Sequence, residues 1–122
     1  MYARAARSYQ NVFLESASPA KLLDELYERL LRDIRDAAQA MMSGDVVKKG
    51  ECISHALAIV TELAGALDHH KAPELCARLF GLYDFVTHRL TKANIHNDPK
   101  WLTEAQPVIV TLRDAFREAA KK

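Results

Sequence analysis

The chain has 122 residues, 17 of them basic and 16 acidic, giving a formal net charge of +1. That length fits one domain able to bury roughly two-thirds of its extended surface without disulfide or metal staples. The charge balance argues against a surface built to neutralise phosphates, so nucleic acid is not the expected partner. No apolar run approaches the roughly 20 residues a membrane span needs.

The opening segment, MYARAARSYQNVFLESA, is arginine-bearing and has no acid before Glu15. It lacks the continuous apolar stretch of a secretory signal, and its slight transit-peptide character ends at once in a helical core, so targeting is not expected. A tail or a lid remains. Tyr2, Tyr9, Val12 and Phe13 give residues 1–17 a sparse apolar side that could lie across a groove.

The first strong helix signal is Ser18-Pro19, where Ser can cap and Pro at the first helical position needs no donor. Leu23, Leu26, Leu30, Ile34, Ala37 and Met41 then recur at steps of three and four, predicting a helix over about 19–42 with one core-facing stripe. Ser43-Gly44-Asp45 stops it and caps the next, because Gly tolerates the left-handed position and Asp accepts from free N–H groups.

The second helix is predicted over about 46–67. It carries two apolar stripes: Val46, Ile53, Leu57, Val60, Ala64 and Leu67, then Cys52, Ala56, Ile59, Leu63 and Ala66. One amphipathic face needs one stripe. Helix two is therefore either a central helix packed on two neighbours, or a helix with one stripe left for a partner segment. LDHHKAPE interrupts, and Pro73 opens a third helix over about 73–94 with no evident capping side chain. Its stripe is Leu75, Leu79, Leu82/Tyr83, Val86, Leu90 and Ala93. NIHNDP ends it, with Asp98 as cap and Pro99 as first-turn proline of a fourth helix over about 99–120. That helix carries Trp101/Leu102, Ala105, Val108/Ile109, Leu112, Ala115/Phe116 and Ala119.

Nothing alternates with the period of a strand, and the linkers are short, which makes sequential helices antiparallel. The expected fold is all-α: an up-down-up-down four-helix bundle over 18–122, with residues 1–17 as an N-terminal lid or arm. Gly50 costs about 1 kcal/mol relative to Ala in a helix interior. Pro107 costs about 3 kcal/mol or more, and is expected to kink or split helix four.

Candidate chemistry is thin. Cys52 and Cys76 sit in helical patterns without a disulfide framework and read as free thiols in a reducing compartment. Cys52 and His55 share a helix face, but a zinc site needs two more ligands and no second paired motif occurs. A di-iron bundle needs a Glu-x-x-His motif on each of two helices. This chain offers Glu51 to His55 and Asp84 to His88, both at spacing four. No phosphate loop or nucleophile elbow appears. His88-Arg89-Leu90 partly matches the exposed histidine of phosphotransfer bundles, with Thr91 where Lys is wanted and Lys92 one place late. No metal, no cofactor and no enzyme activity are expected, and phosphotransfer through His88 stands as the alternative function.

Four strings, in order, carry a family resemblance: SASPAKLLDELYERLL, GDVVKKGECISHALAIVTELAGALD, LFGLYDFVTHRLTKAN and LRDAFREA. Together with the MYA opening they resemble the flagellar export chaperone FliS over nearly the whole chain. The Ser-Pro-x-x-Leu-x-x-x-Leu-Tyr run at 18–27 and the Leu-Tyr-Asp to Ala-Asn run at 82–94 are the most specific.

The resemblance implies a cytoplasmic chaperone that binds the disordered C-terminal segment of flagellin. It would prevent early polymerisation and assist delivery to the type III export apparatus. The spare apolar face of helix two fits a monomer or a weak homodimer. The resemblance implies a groove formed by Ile53, Leu57, Val60 and Leu67 of helix two with Leu79 and Tyr83 of helix three. Asn94 would bond client backbone or cap its own helix, and Tyr2 and Tyr9 would belong to a displaceable lid. Gly50, Pro107, the AGALD ending and the HHKAPE turn depart from the family pattern and bear on groove shape and client range.

Overall fold

A computed structural model describes residues 19–121. The expectations placed on residues 1–17, including the lid with Tyr2 and Tyr9, and on the Ser18 cap lie outside the described residues. Four helices follow in order: α1 Pro19–Ser43, α2 Val46–Gly65, α3 Pro73–His96 and α4 Lys100–Ala120. Each packs on its sequence neighbours and α4 closes the ring against α1, giving the antiparallel bundle that the periodicity predicted.

The punctuation works as chemistry. Gly44 takes φ +76°, a left-handed conformation that side chains resist, and its N–H donates to the Met41 carbonyl at 3.3 Å. Asp45 Oδ1 then accepts from Lys48 N at 3.0 Å and caps α2. The α2 helix stops two residues short of the expected boundary, at Gly65, although Leu67 is still buried beyond it. The α3 helix runs two residues further than expected, to His96, and ends on Asn97 in the left-handed region at φ 51°. Asn97, rather than Asn94, is thus the C-terminal cap. Asp98 Oδ1 accepts from Lys100 N at 3.0 Å and opens α4.

Pro107 does not split α4, which is helical from Lys100 to Ala120. It lies on an exposed face, so the Thr103 carbonyl that loses its i+4 donor is positioned for water to satisfy. Gly50 likewise leaves α2 unbroken.

The stripes converge on one core, except at Val46 and Leu82, which are exposed near the solvent side of their helices. Leu30, Ile53, Leu63, Leu90, Leu102 and Ile109 are essentially inaccessible, with Tyr27, Tyr83 and Phe116 as the largest buried side chains. The two stripes of α2 serve two neighbours. The Cys52–Ile59–Ala66 side faces α1, where His55 Nδ1 donates to Asp33 and Arg29 donates to His55 Nε2 at 3.0 Å. The Ile53–Val60–Leu67 side faces α3. Across the bundle diagonal, the Tyr27 and Tyr83 hydroxyls bond at 2.7 Å.

Arg113 and Arg117 of α4 share Glu28 of α1 at 2.9 and 2.8 Å, and Arg117 also takes Asp24 at 2.6 Å. The Asp24 bond is the main cause that raises the Arg117 pKa. Such partly exposed pairs set register more than stability, contributing about 0–1 kcal/mol each. Lys49 is the one charged side chain buried in the described core, at 7% exposure. Its Nζ donates to the Asn94 carbonyl at 3.2 Å, satisfying one of the last carbonyls of α3. No helix among the described residues is long and apolar enough to cross a membrane.

Candidate functional site

Among the described residues, the seam between α2 and α3 is left open. A cavity of about 340 Å³ opens there. Val60 and Tyr83 form its floor, Ala64 and Gly65 one wall, and Phe80 the other. Thr61, Asp84 and Thr87 supply a polar rim. The Thr61 hydroxyl is already spent on the Leu57 carbonyl at 2.9 Å, a self-bond that leaves its methyl to face outward contacts. Phe80 is 52% exposed, a ring held half out of water with its edge near His69 at 6.3 Å between centroids.

Helical register extends this groove. Val46, Gly50, Leu57 and Ala64 recur at steps of four and seven on the α3-facing flank of α2. Asp84, Thr87, Thr91 and Ile95 recur at steps of three and four on one flank of α3. Val46 is 65% exposed and Ile95 67%, so large apolar groups stand free at the far end of the seam as well. The track spans most of α2, about 30 Å at 1.5 Å per residue.

The residues that the resemblance singled out are placed as follows. Ile53, Val60, Leu67, Leu79 and Tyr83 are all buried in the core, and of these only Val60 and Tyr83 also reach the groove. Leu57 is half-buried on the groove flank, and Asn94 is exposed near the Val46 end with its carbonyl taken by Lys49. Phe80 was missed. The available signal was the doublet Leu79-Phe80: two adjacent apolar residues cannot both lie on one helical stripe, so one of them must face elsewhere.

A second cavity, about 400 Å³, lies at the α1/α4 seam between Ala20, Phe116 and Ala120. Its walls include Asp24 and Arg117, which are already bonded to each other. The α2/α3 groove has the apolar floor and half-exposed aromatic that partner binding requires.

The thiols and histidines make no competing centre. Cys76 is buried and its Sγ donates to the Asp68 carbonyl at 3.3 Å, and Cys52 is half-buried against α1. Burial raises the pKa of both, which suppresses the thiolate. Among the described residues no cluster of three or more His, Cys, Asp or Glu could hold a metal ion. His88 is exposed on α3, with Nδ1 accepting from Arg89 at 2.6 Å and its ring edge-on to Trp101.

The family model for the flagellar protein FliS matches residues 1–122. The chain belongs to the FliS family. It is 36% identical to the flagellar secretion chaperone FliS of Bacillus subtilis strain 168, over 92% of this chain and 83% of that one. It is 31% identical to the flagellar secretion chaperone FliS of Salmonella typhimurium, over 98% and 93% of the two chains. The flagellar secretion chaperone FliSB of Pseudomonas aeruginosa is also 31% identical, over 95% and 96%. These FliS relatives are named as chaperones, which leaves phosphotransfer through His88 without support.

Proposed function

We propose that this chain is a cytoplasmic export chaperone that holds the disordered C-terminal segment of flagellin along the α2/α3 seam. It thereby blocks premature polymerisation and presents the client to the flagellar export apparatus. The observation that carries this reading is the open groove floored by Val60 and Tyr83 beneath a half-exposed Phe80, in a FliS chain. A segment folding as an amphipathic helix would set apolar side chains against Phe80 at one end and Val46 and Ile95 at the other. No bond is made or broken, and the free energy comes from apolar burial less the cost of ordering the client.

Titration of the full chain with a peptide of its flagellin C terminus, followed by calorimetry, tests this. The expected result is micromolar or tighter binding with a large negative heat-capacity change. No heat at high micromolar peptide overturns the reading. The same titration with residues 1–17 deleted shows whether that segment competes with the client, in which case affinity is preserved or raised.

Gly50 offers a sharper check. A Cβ built there meets nothing within 4 Å, so no internal packing explains a glycine in the second turn of α2. Gly50→Ala is expected to stabilise the fold by about 0.5–1 kcal/mol, read as a higher urea midpoint. It should also weaken flagellin-peptide binding severalfold if the client backbone approaches α2 at this point. An unchanged affinity would place the client path elsewhere.

A further inference from the structure

Trp101 is the only tryptophan of the chain and stands half-buried at the start of α4. Basic side chains converge on it. The Arg89 guanidinium stacks 4.1 Å from the Phe85 ring centroid and 5.7 Å from that of Trp101. Lys100 Nζ lies 5.0 Å over the Trp101 ring. The His96 ring stacks on it at 6.0 Å with an interplanar angle of 26°, and His88 meets it edge-on at 6.3 Å. Lys92 follows Arg89 by three positions and precedes His96 by four, so it belongs to the same flank of α3.

Only part of this charge is answered. Glu104 takes Arg89 at 2.6 Å, and Asp98 is occupied with the backbone N–H of Lys100. Neither Lys92 nor Lys100 is in an ion pair among the described residues. Tying α3 to α4 requires the Arg89–Glu104 bridge and the aromatic stack. It does not require two further lysines flanking the stack, and Arg89 and Lys92 at i and i+3 repel each other.

The geometry points to a second interaction surface, on the α3/α4 seam, that receives an acidic polypeptide segment. Its carboxylates would pair with Lys92 and Lys100, and an apolar side chain would lie on the Trp101 ring. Nucleic acid fits less well. The chain carries 17 basic against 16 acidic residues, and Glu104 and Asp98 stand within the patch itself. Phe80 and Arg89 project from different flanks of α3, so the groove and this patch can be occupied at once. The surface does not depend on the flagellin reading.

Trp101 emission reports this site alone, because no other tryptophan exists. The full chain is titrated with a short synthetic peptide of Glu and Asp residues around one leucine, in low salt. Parallel titrations use the same peptide with Gln and Asn in place of the acids, and a single-stranded oligonucleotide. The acidic peptide is expected to shift Trp101 emission, with an affinity that falls as salt rises. Lys92→Glu with Lys100→Glu should weaken it at least about tenfold, and the milder Lys92→Gln with Lys100→Gln should weaken it less, with helix content by circular dichroism unchanged. Phe80→Asp should leave it unaltered. No emission change at millimolar peptide overturns the proposal. So does equal binding of the Gln/Asn peptide, or tighter binding of the oligonucleotide.

Discussion

Replacing Phe80 with Asp is expected to cut affinity for the flagellin C-terminal peptide by at least about 100-fold while leaving thermal stability nearly unchanged. The reasoning rests on where the ring already is. Phe80 is 52% exposed, so about half of its apolar area is open for a client to cover. Covering that half would contribute roughly 1–2 kcal/mol, so Phe80→Ala should weaken binding about five- to thirty-fold. Aspartate adds the desolvation of a charge in an interface, beside Asp84 on the same wall. Because Phe80 belongs to no buried cluster and its ring contact is with the exposed His69, the fold loses little. Calorimetry on both variants separates the two contributions. Full retention of affinity in Phe80→Asp would show that the client does not use this groove.

Tyr83→Phe should destabilise the bundle by about 1–3 kcal/mol, the cost of a stranded buried hydroxyl. The Tyr27 side chain is 0% exposed and its hydroxyl bonds Tyr83 at 2.7 Å, so removing one oxygen leaves the other facing apolar core. The double variant Tyr27→Phe with Tyr83→Phe should lose less than the sum of the two singles, because neither phenol then leaves the other's hydroxyl stranded. Additive losses in urea unfolding would refute the pairing.

The same pair sets an alkaline limit. Burial raises both phenol pKa values, and for Tyr27 the neighbouring Tyr83 raises it further. A group whose pKa is higher folded than unfolded gives stability that is complete below the unfolded value, about 10 for tyrosine, and is lost as pH climbs towards the folded one. The urea midpoint should therefore hold steady up to about pH 10 on account of these groups and decline above it. The double Phe variant should decline less steeply.

Much of the bundle was legible because helices announce themselves twice, by stripe and by punctuation. Leu23 through Ala37 and Leu79 through Ala93 followed the period, and Gly44, Asp45, Pro73 and Asp98 marked ends where the chain does turn. Two local readings failed for physical reasons. Pro107 is an interior breaker by type but does not split α4, because its position on an exposed face leaves a single carbonyl to solvent rather than to the core. Asn94 was considered for a capping role that Asn97 performs, because the stripe ends at Ala93 while the backbone helix continues another turn.

The groove was legible only as a surplus. Periodicity reports that a residue faces the bundle axis and not whether a seam gapes above it. Of the residues that the resemblance names for a groove, Ile53, Leu67 and Leu79 lie inside on buried stripes, while Val60 and Tyr83 serve both roles. Phe80, Thr61 and Gly65 break the stripe, and they form the part of the groove that spacing alone does not reach.

Because Val60 and Tyr83 hold up the interior and also floor the groove, the deepest contacts of any guest are bound to the integrity of the host. Mutational drift there is paid for in folding. If flagellin is the guest, adaptation to a changed one would then fall on the rim, at Thr61, Phe80, Asp84 and Thr87, where exchange leaves the interior alone. Chaperone–flagellin pairs from different bacteria should accordingly diverge together at those four positions, and rim swaps should transfer preference for one guest over another.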